Sequence, residues 1–267
     1  MAPEISVVVP TFRRPRELHL ALASALGQQG VTVEVLVVDD SPEGSARATV
    51  QALRDRRVRY LRTRKPTGGR PGQVRNEGWP LATGRFVHFL DDDDLVPPGH
   101  YAAALRDFER FPEAGVVFGR VEPFAEDDRP LEHERNFFAN AARRALVGER
   151  LGQRVLAARQ LLEQTMLVCS AGVSRIEVVR ALGGFDPAIR LVEDVDYYAR
   201  AFRNFGAHFT DRVVLHYRIG HSLMHSRVDD AVIVQSYRRM HQKYRYAHGP
   251  VELVALKALV RAGLKLT

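Results

Sequence analysis

Two continuous apolar runs in this chain end abruptly in acid: "VEVLVVDDS" at residues 33–41 and "GRFVHFLDDDD" at residues 84–94. Neither run alternates polar with apolar positions. Each therefore reads as a short strand covered on both faces, as in a parallel sheet flanked by helices. In such sheets ligands bind beyond the carboxyl ends of the strands, which is where these aspartates fall. Asp91, Asp92, Asp93 and Asp94 repel one another and resist leaving water. Either they form a solvated turn that blunts the strand, or a positive group compensates them, most economically a divalent cation.

The surrounding sequence repeats the alternation. A β-branched run at residues 5–9 stops at Pro10, and Leu18, Leu22 and Leu26 recur four apart, as on an amphipathic helix spanning 17–26. The pattern then gives a helix near 45–54, a strand at 58–62, a basic Gly/Pro loop at 63–72, a helix at 73–82 and a strand at 85–90. Thr11, Phe12 and Arg13 follow the first strand, so three polar clusters converge on one sheet edge. Beyond Pro98, helices are expected at 101–111 and 194–205 and strands at 115–121 and 213–218. Residues 125–163 are charged, carry few strand signals and read as helical from 135 onward. They are expected to form an insertion over the sheet mouth, a lid or acceptor-binding element. No internal repeat or low-complexity linker divides the chain, which favours one domain.

Composition narrows the partners. With 45% hydrophobic and 27% charged residues in 267, the chain can bury one large α/β core. The net charge of +7 favours anionic partners, namely nucleotides, phosphate-bearing lipids or membrane surfaces. The basic residues are scattered, so nucleic acid is not singled out. Cys169 is the only cysteine, which rules out an intrachain disulfide and suits a reducing compartment; beside Leu167, Val168 and Ala171 it reads as a buried small hydrophobe. No signal-peptide pattern precedes the first strand, and no apolar run approaches the ~20 residues of a bilayer span. A cytoplasmic location is expected. A basic amphipathic helix near the end, with Val254, Leu256 or Lys257, Val260 and Leu264 on one face, either docks on the domain or contacts the inner face of the membrane. Neither G-x-G-x-x-G nor a P-loop occurs, against a dinucleotide-binding enzyme or nucleotidyltransferase.

Five motifs occur in order: "ISVVVPTFRR", "VEVLVVDDSPEG", "GGRPGQVRNEGWPLATGRFVHFLDDDD", "GGFDPAIRLVEDVDYYAR" and "YRIGH". Together they resemble a family 2 glycosyltransferase across residues 5–225. The resemblance implies a GT-A fold, a Rossmann-like α/β architecture with a mixed, mostly parallel central sheet flanked by helices. It implies one domain at 1–225, with a nucleotide-sugar-binding half (1–100) and an acceptor-binding half (101–225), followed by a C-terminal helical extension at 226–267. It also implies transfer with inversion from a nucleoside-diphosphate sugar, UDP-sugar favoured, to an acceptor hydroxyl, assisted by Mn²⁺ or Mg²⁺. The rival reading is a non-catalytic basic nucleotide- or membrane-binding protein on a degenerate transferase fold.

The residue roles follow from that resemblance and from the chemistry each position suits. A departing diphosphate gathers negative charge, which a cation on hard carboxylate oxygens stabilises. The aspartate run resembles the family's Asp-x-Asp motif: Asp93 ligates the metal, Asp91 touches the ribose or metal-bound water, and Asp92 lies beside the donor. On an extended chain Asp91 and Asp93 share a side, although any three of the four fit the motif; Asp94 is expected to cap the following turn. Asp40 resembles the family residue that accepts a hydrogen bond from the donor base, with Pro10 and Thr11 against that base and Phe12 and Arg13 following; Asp39 caps the next helix in the competing reading. Arg75 matches an arginine near the diphosphate, and Arg70 and Lys65 are loop cations that either reach phosphate or stay solvated. In "LVEDVDYY", Asp194 is the expected base for the acceptor hydroxyl and Glu193 its orienting partner, with helix N-terminal capping as the competing reading. His221 is the expected histidine ligand, in competition with His216 and His225. Trp79, Tyr197 and Tyr198 are assigned to the core.

Overall fold

The computed structural model describes residues 2–163, 166–220 and 230–263. Its strands are β1 (Ile5–Thr11), β2 (Val33–Asp39), β3 (Val58–Arg62), β4 (Phe86–Phe89), β5 (Val116–Phe124), β6 (Gly172–Arg175) and β7 (Ala207–Arg218). They form one seven-stranded sheet in the order β3-β2-β1-β4-β6-β5-β7. Pairings β1–β2, β1–β4, β2–β3 and β5–β7 are parallel, whereas β6 runs antiparallel to both β4 and β5. The sheet is thus mixed and mostly parallel, as expected. All seven positions of β1 are buried, in keeping with a strand covered on both faces.

Helices α1 (Pro15–Leu26), α2 (Arg47–Leu53), α3 (Pro71–Gly78) and α4 (His100–Arg110) connect the first strands. Register brings Thr11 opposite Asp39 and Asp39 opposite Arg62, so the carboxyl ends of β1, β2 and β3 are level. Asp91 to Asp94 follow β4 on that same edge.

Helices α5 (Glu132–Arg150) and α6 (Gln153–Leu162) correct the expectation for residues 125–163. They do not form a lid. Phe138, Ala141 and Ala145 are buried on α5, and Leu156 and Ala157 of α6 join the main core. Residues 138, 141 and 145 lie three and four apart, an apolar stripe that the high charge of the segment obscured. Helices α7 (Ile176–Leu182) and α8 (Glu193–Phe205) complete this half, with Tyr197 and Tyr198 fully buried and Trp79 packed against the core. Cys169 is buried, as its neighbours suggested.

Helices α9 (Asp230–His248) and α10 (Pro250–Gly263) dock on the domain. Met240, Tyr244, Leu253, Leu256 and Val260 join Ala158, Leu161, Ile189, Val195 and Ala199 in a second apolar cluster. The docked face of α10 therefore starts at Leu253, while Val254 is 66% exposed; Leu264 lies outside the described residues. No helix among the described residues is long and apolar enough to cross a membrane.

Glycine permits the close approach of α3 to the sheet. A Cβ at Gly78 would lie 2.7 Å from Val8 Cγ1 and 2.8 Å from Val38 Cγ2. Gly78→Ala is expected to lower unfolding free energy by about 1–3 kcal/mol through overpacking, measured by urea denaturation; an unchanged midpoint would mean that α3 is not held this tightly.

Candidate active site

The acidic edge is assembled around arginines. On α3, Arg75 is buried and donates from Nη2 to Asp91 (2.5 Å) and from Nη1 to Glu193 (2.6 Å), joining residues 118 apart in sequence. Burial opposes its charge, but Asp91 and Glu193 more than offset that and hold its pKa well above the usual value. Gly72 makes the junction possible, since a Cβ there would sit 2.7 Å from Glu193 Cγ. The Arg75 guanidinium also lies over the Phe185 ring at 5.3 Å.

The second arginine is Arg14. Its Nη1 donates to Asp92 (3.1 Å) and Asp93 (2.5 Å), and the Thr11 hydroxyl donates to Asp92 at 2.7 Å. The neighbouring Arg13, expected at the donor site, has φ 56° and pairs with Glu43, stacked over Phe12 at 5.1 Å. The left-handed turn at Arg13 aims the two successive arginines in different directions. Arg218 closes the third side, its N–H donating to Asp94 Oδ1 and its Nε to the Asp93 carbonyl.

The chain does not run extended through the aspartates. Asp94 N–H returns to the Asp91 carbonyl at 3.3 Å, closing a turn, so the expectation that Asp91 and Asp93 share a side by strand alternation fails. Asp92 and Asp93 share Arg14, Asp91 faces Arg75, and Asp94 faces inward. Even with three arginines nearby, burial raises the pKa of three of these carboxyls. Burial and then Asp93 push Asp92 up to about 7, burial raises Asp93, and burial together with Asp93 and Asp91 lifts Asp94 well above the carboxylate range.

A buried relay fixes the turn from below. His88 on β4 donates from Nε2 to the Ser170 carbonyl at 2.7 Å, so its Nδ1 accepts from the Tyr101 hydroxyl at 2.8 Å. Burial lowers its pKa to about 4, keeping it neutral. Ser170 Oγ in turn accepts the Asp91 N–H at 3.0 Å.

At the end of β2 the two aspartates divide their work. Asp39 accepts from Ser41 N–H, Ala46 N–H and the Tyr60 hydroxyl, which holds the turn entering α2. Asp40 accepts from the Thr63 hydroxyl and from the Thr67 N–H and hydroxyl, tying the Gly/Pro loop to the sheet edge. Pro10 and Thr11 are buried beside it in β1.

Across the site, α8 opens with Glu193 and Asp194. The residue before them, Val192, has φ 55°, a conformation that costs a β-branched residue about 1–3 kcal/mol. Asp194 Oδ1 accepts the Val195 N–H at 2.9 Å. Burial and then the Glu193 charge raise Asp194 to about 7. His216 is turned toward Glu122, 3.5 Å away; His221 and His225 lie outside the described residues.

Residues 6–180 match the family model for Glycosyl transferase family 2. The chain belongs to that family. Among curated relatives, succinoglycan biosynthesis protein ExoO of Rhizobium meliloti is 40% identical over 131 residues, 48% of this chain and 36% of the relative. GalNAc(5)-diNAcBac-PP-undecaprenol beta-1,3-glucosyltransferase of Campylobacter jejuni is 38% identical over 106 residues, 39% of this chain and 34% of the relative. The chain thus spans about a third of the length of these relatives. S. aureus TarS 1-349 in complex with UDP-GlcNAc superposes with TM-score 0.69 at 16% identity, over 96% of this chain and 70% of that one. The mannosyltransferase PcManGT of Pyrobaculum calidifontis, in complex with GDP-Man and Mn²⁺, gives 0.60 at 19%, over 98% and 76%. These likenesses establish the GT-A fold for this family 2 member.

Arg75→Leu would leave Asp91 and Glu193 without their shared cation and is expected to cost about 3–5 kcal/mol at pH 8. Glu193, already raised by burial, favours its protonated form when folded, so stability is lost as pH rises. The deficit should shrink at pH 5, read by urea unfolding at both values; an equal deficit would count against the pairing.

Proposed function

We propose that this family 2 glycosyltransferase moves a sugar from a nucleoside-diphosphate donor, most readily a UDP-sugar, to an acceptor hydroxyl with inversion. The observation that carries the reading is the Arg75 bridge, which joins the strand-end aspartates to the Glu193-Asp194 pair in one pocket. The UDP-GlcNAc and GDP-Man complexes of proteins with this fold support a nucleotide-sugar donor.

The donor set fits a divalent cation. Asp93 and Asp91 would supply hard carboxylate oxygens once each turns from its arginine, Asp93 from Arg14 and Asp91 from Arg75. Among the described residues no group of three acidic, histidine or cysteine side chains is poised around one point. Asp93 and Asp91 would hold the ion, and His221, the other expected ligand, lies outside the described residues. Bound there, Mn²⁺ or Mg²⁺ would offset the charge gathering on the leaving diphosphate.

The remaining chemistry falls to the chain. Asp194 takes the proton of the acceptor hydroxyl as its oxygen attacks the anomeric carbon. The bond from that carbon to the diphosphate oxygen breaks, and the nucleoside diphosphate departs with the electron pair. Glu193, held by Arg75, positions Asp194. Asp40 and Thr11 border the base, so a base N–H would share Asp40 with Thr67.

Turnover of UDP-sugar should rise with pH as Asp194 ionises, levelling above about 7. Asp194→Asn is expected to lower kcat by about 10²–10⁴ and abolish that limb, measured by UDP release. Asp93→Ala should remove metal-dependent release while the circular dichroism stays unchanged. Near-normal turnover by either variant would refute its assignment.

A further inference from the structure

Arginines from three separate segments face an open cleft of about 660 Å³ beside the catalytic pocket. Arg70 comes from the Gly/Pro loop, Arg190 from the segment before α8, and Arg238 and Arg239 from α9, with Gln235 and Gln242 between them. Among the described residues no carboxylate lines the cleft. Arg239 is tied to Asp186 at 3.3 Å, but Arg70, Arg190 and Arg238 have no ion-pair partner among the described residues. Like charges brought together without acids repel, and a cleft of this size suits a ligand that supplies the missing anion.

Its walls are fixed to the machinery of transfer. Arg70 precedes α3, whose Gly72 packs on Glu193, and Gln73 Nε2 donates to the Pro187 carbonyl at 2.8 Å. Arg190 stands three residues before Glu193. The α9 wall is pinned by Lys243, which pairs with Asp186 (2.8 Å) and Asp196 (2.9 Å). The cleft therefore opens beside the end of α8 that carries Asp194. A metal-bound donor diphosphate needs carboxylates, and none lines this cleft among the described residues, so the anion it suits is a different one.

We propose that the cleft binds a phosphate or diphosphate group carried by the acceptor, resting on the transferase reading above. Planar guanidinium forks suit phosphate oxygens bidentately. Holding the anion there would bring a hydroxyl of the same molecule toward Asp194.

The test titrates inorganic pyrophosphate, without metal and with UDP saturating, into the whole protein and an Arg190→Ser/Arg238→Ser variant. Both side chains are exposed, and circular dichroism checks the fold. Wild type should bind pyrophosphate, and the variant at least about tenfold more weakly. Equal affinity, or no pyrophosphate binding to wild type in the presence of bound UDP, overturns the proposal. Flotation with phosphatidylcholine vesicles doped with phosphatidic acid separates the sources. Retention lost in the variant assigns a lipid-borne phosphate, and pyrophosphate binding without retention assigns a soluble phosphorylated acceptor. A protein that binds pyrophosphate but not UDP would overturn the donor reading and leave the cleft standing.

Discussion

Excess negative charge at the carboxyl edge of the sheet is the constraint around which the molecule is arranged. Asp91 to Asp94, Glu193 and Asp194 crowd one pocket, faced by Arg14, Arg75 and Arg218. Burying so many carboxylates is costly without counter-charge. Burial first, and then a neighbouring carboxylate, raises Asp92 and Asp194 to about 7. A fold tuned for stability alone would place apolar side chains here.

The rest of the architecture keeps those acids together. Parallel strands level at one edge deliver Thr11, Asp40 and the aspartate turn to the same side. Antiparallel β6 and the turn at Ser170 support Asp91 from beneath, through neutral His88. Arg75 fastens α8 across the gap, and the strained Val192 sets the angle at which Glu193 and Asp194 enter. The C-terminal helices, joined through Lys243 to Asp186 and Asp196, brace the segment leading into α8.

Much of this was legible in the sequence because its signals are local. The burial of β1 follows from its continuous apolar run, and β3 occupies the residues expected, 58–62. The aspartate run, Arg75 and the Glu193-Asp194 pair were recognisable by their order along the chain. What escaped depends on long-range pairing or on single dihedral angles. Strand β6, "GVSR", is too short and polar to announce itself and exists because β4 and β5 lie on either side. Arg14, rather than Arg13, reaches the acids because Arg13 takes a left-handed conformation. The turn at Asp91–Asp94 defeated an alternation argument valid only for extended chain. The apolar stripe of α5 lay hidden in a charged segment, so helices belonging to the core resembled a lid.

The proposed transfer requires the acidic edge to take up a cation together with a nucleotide diphosphate. Calorimetric titration of UDP into the metal-free protein, with and without Mn²⁺, tests this most directly. Mn²⁺ should tighten UDP binding by at least about tenfold, a coupling of roughly 1.4 kcal/mol, and UDP should tighten Mn²⁺ reciprocally. UDP affinity indifferent to Mn²⁺ would contradict it.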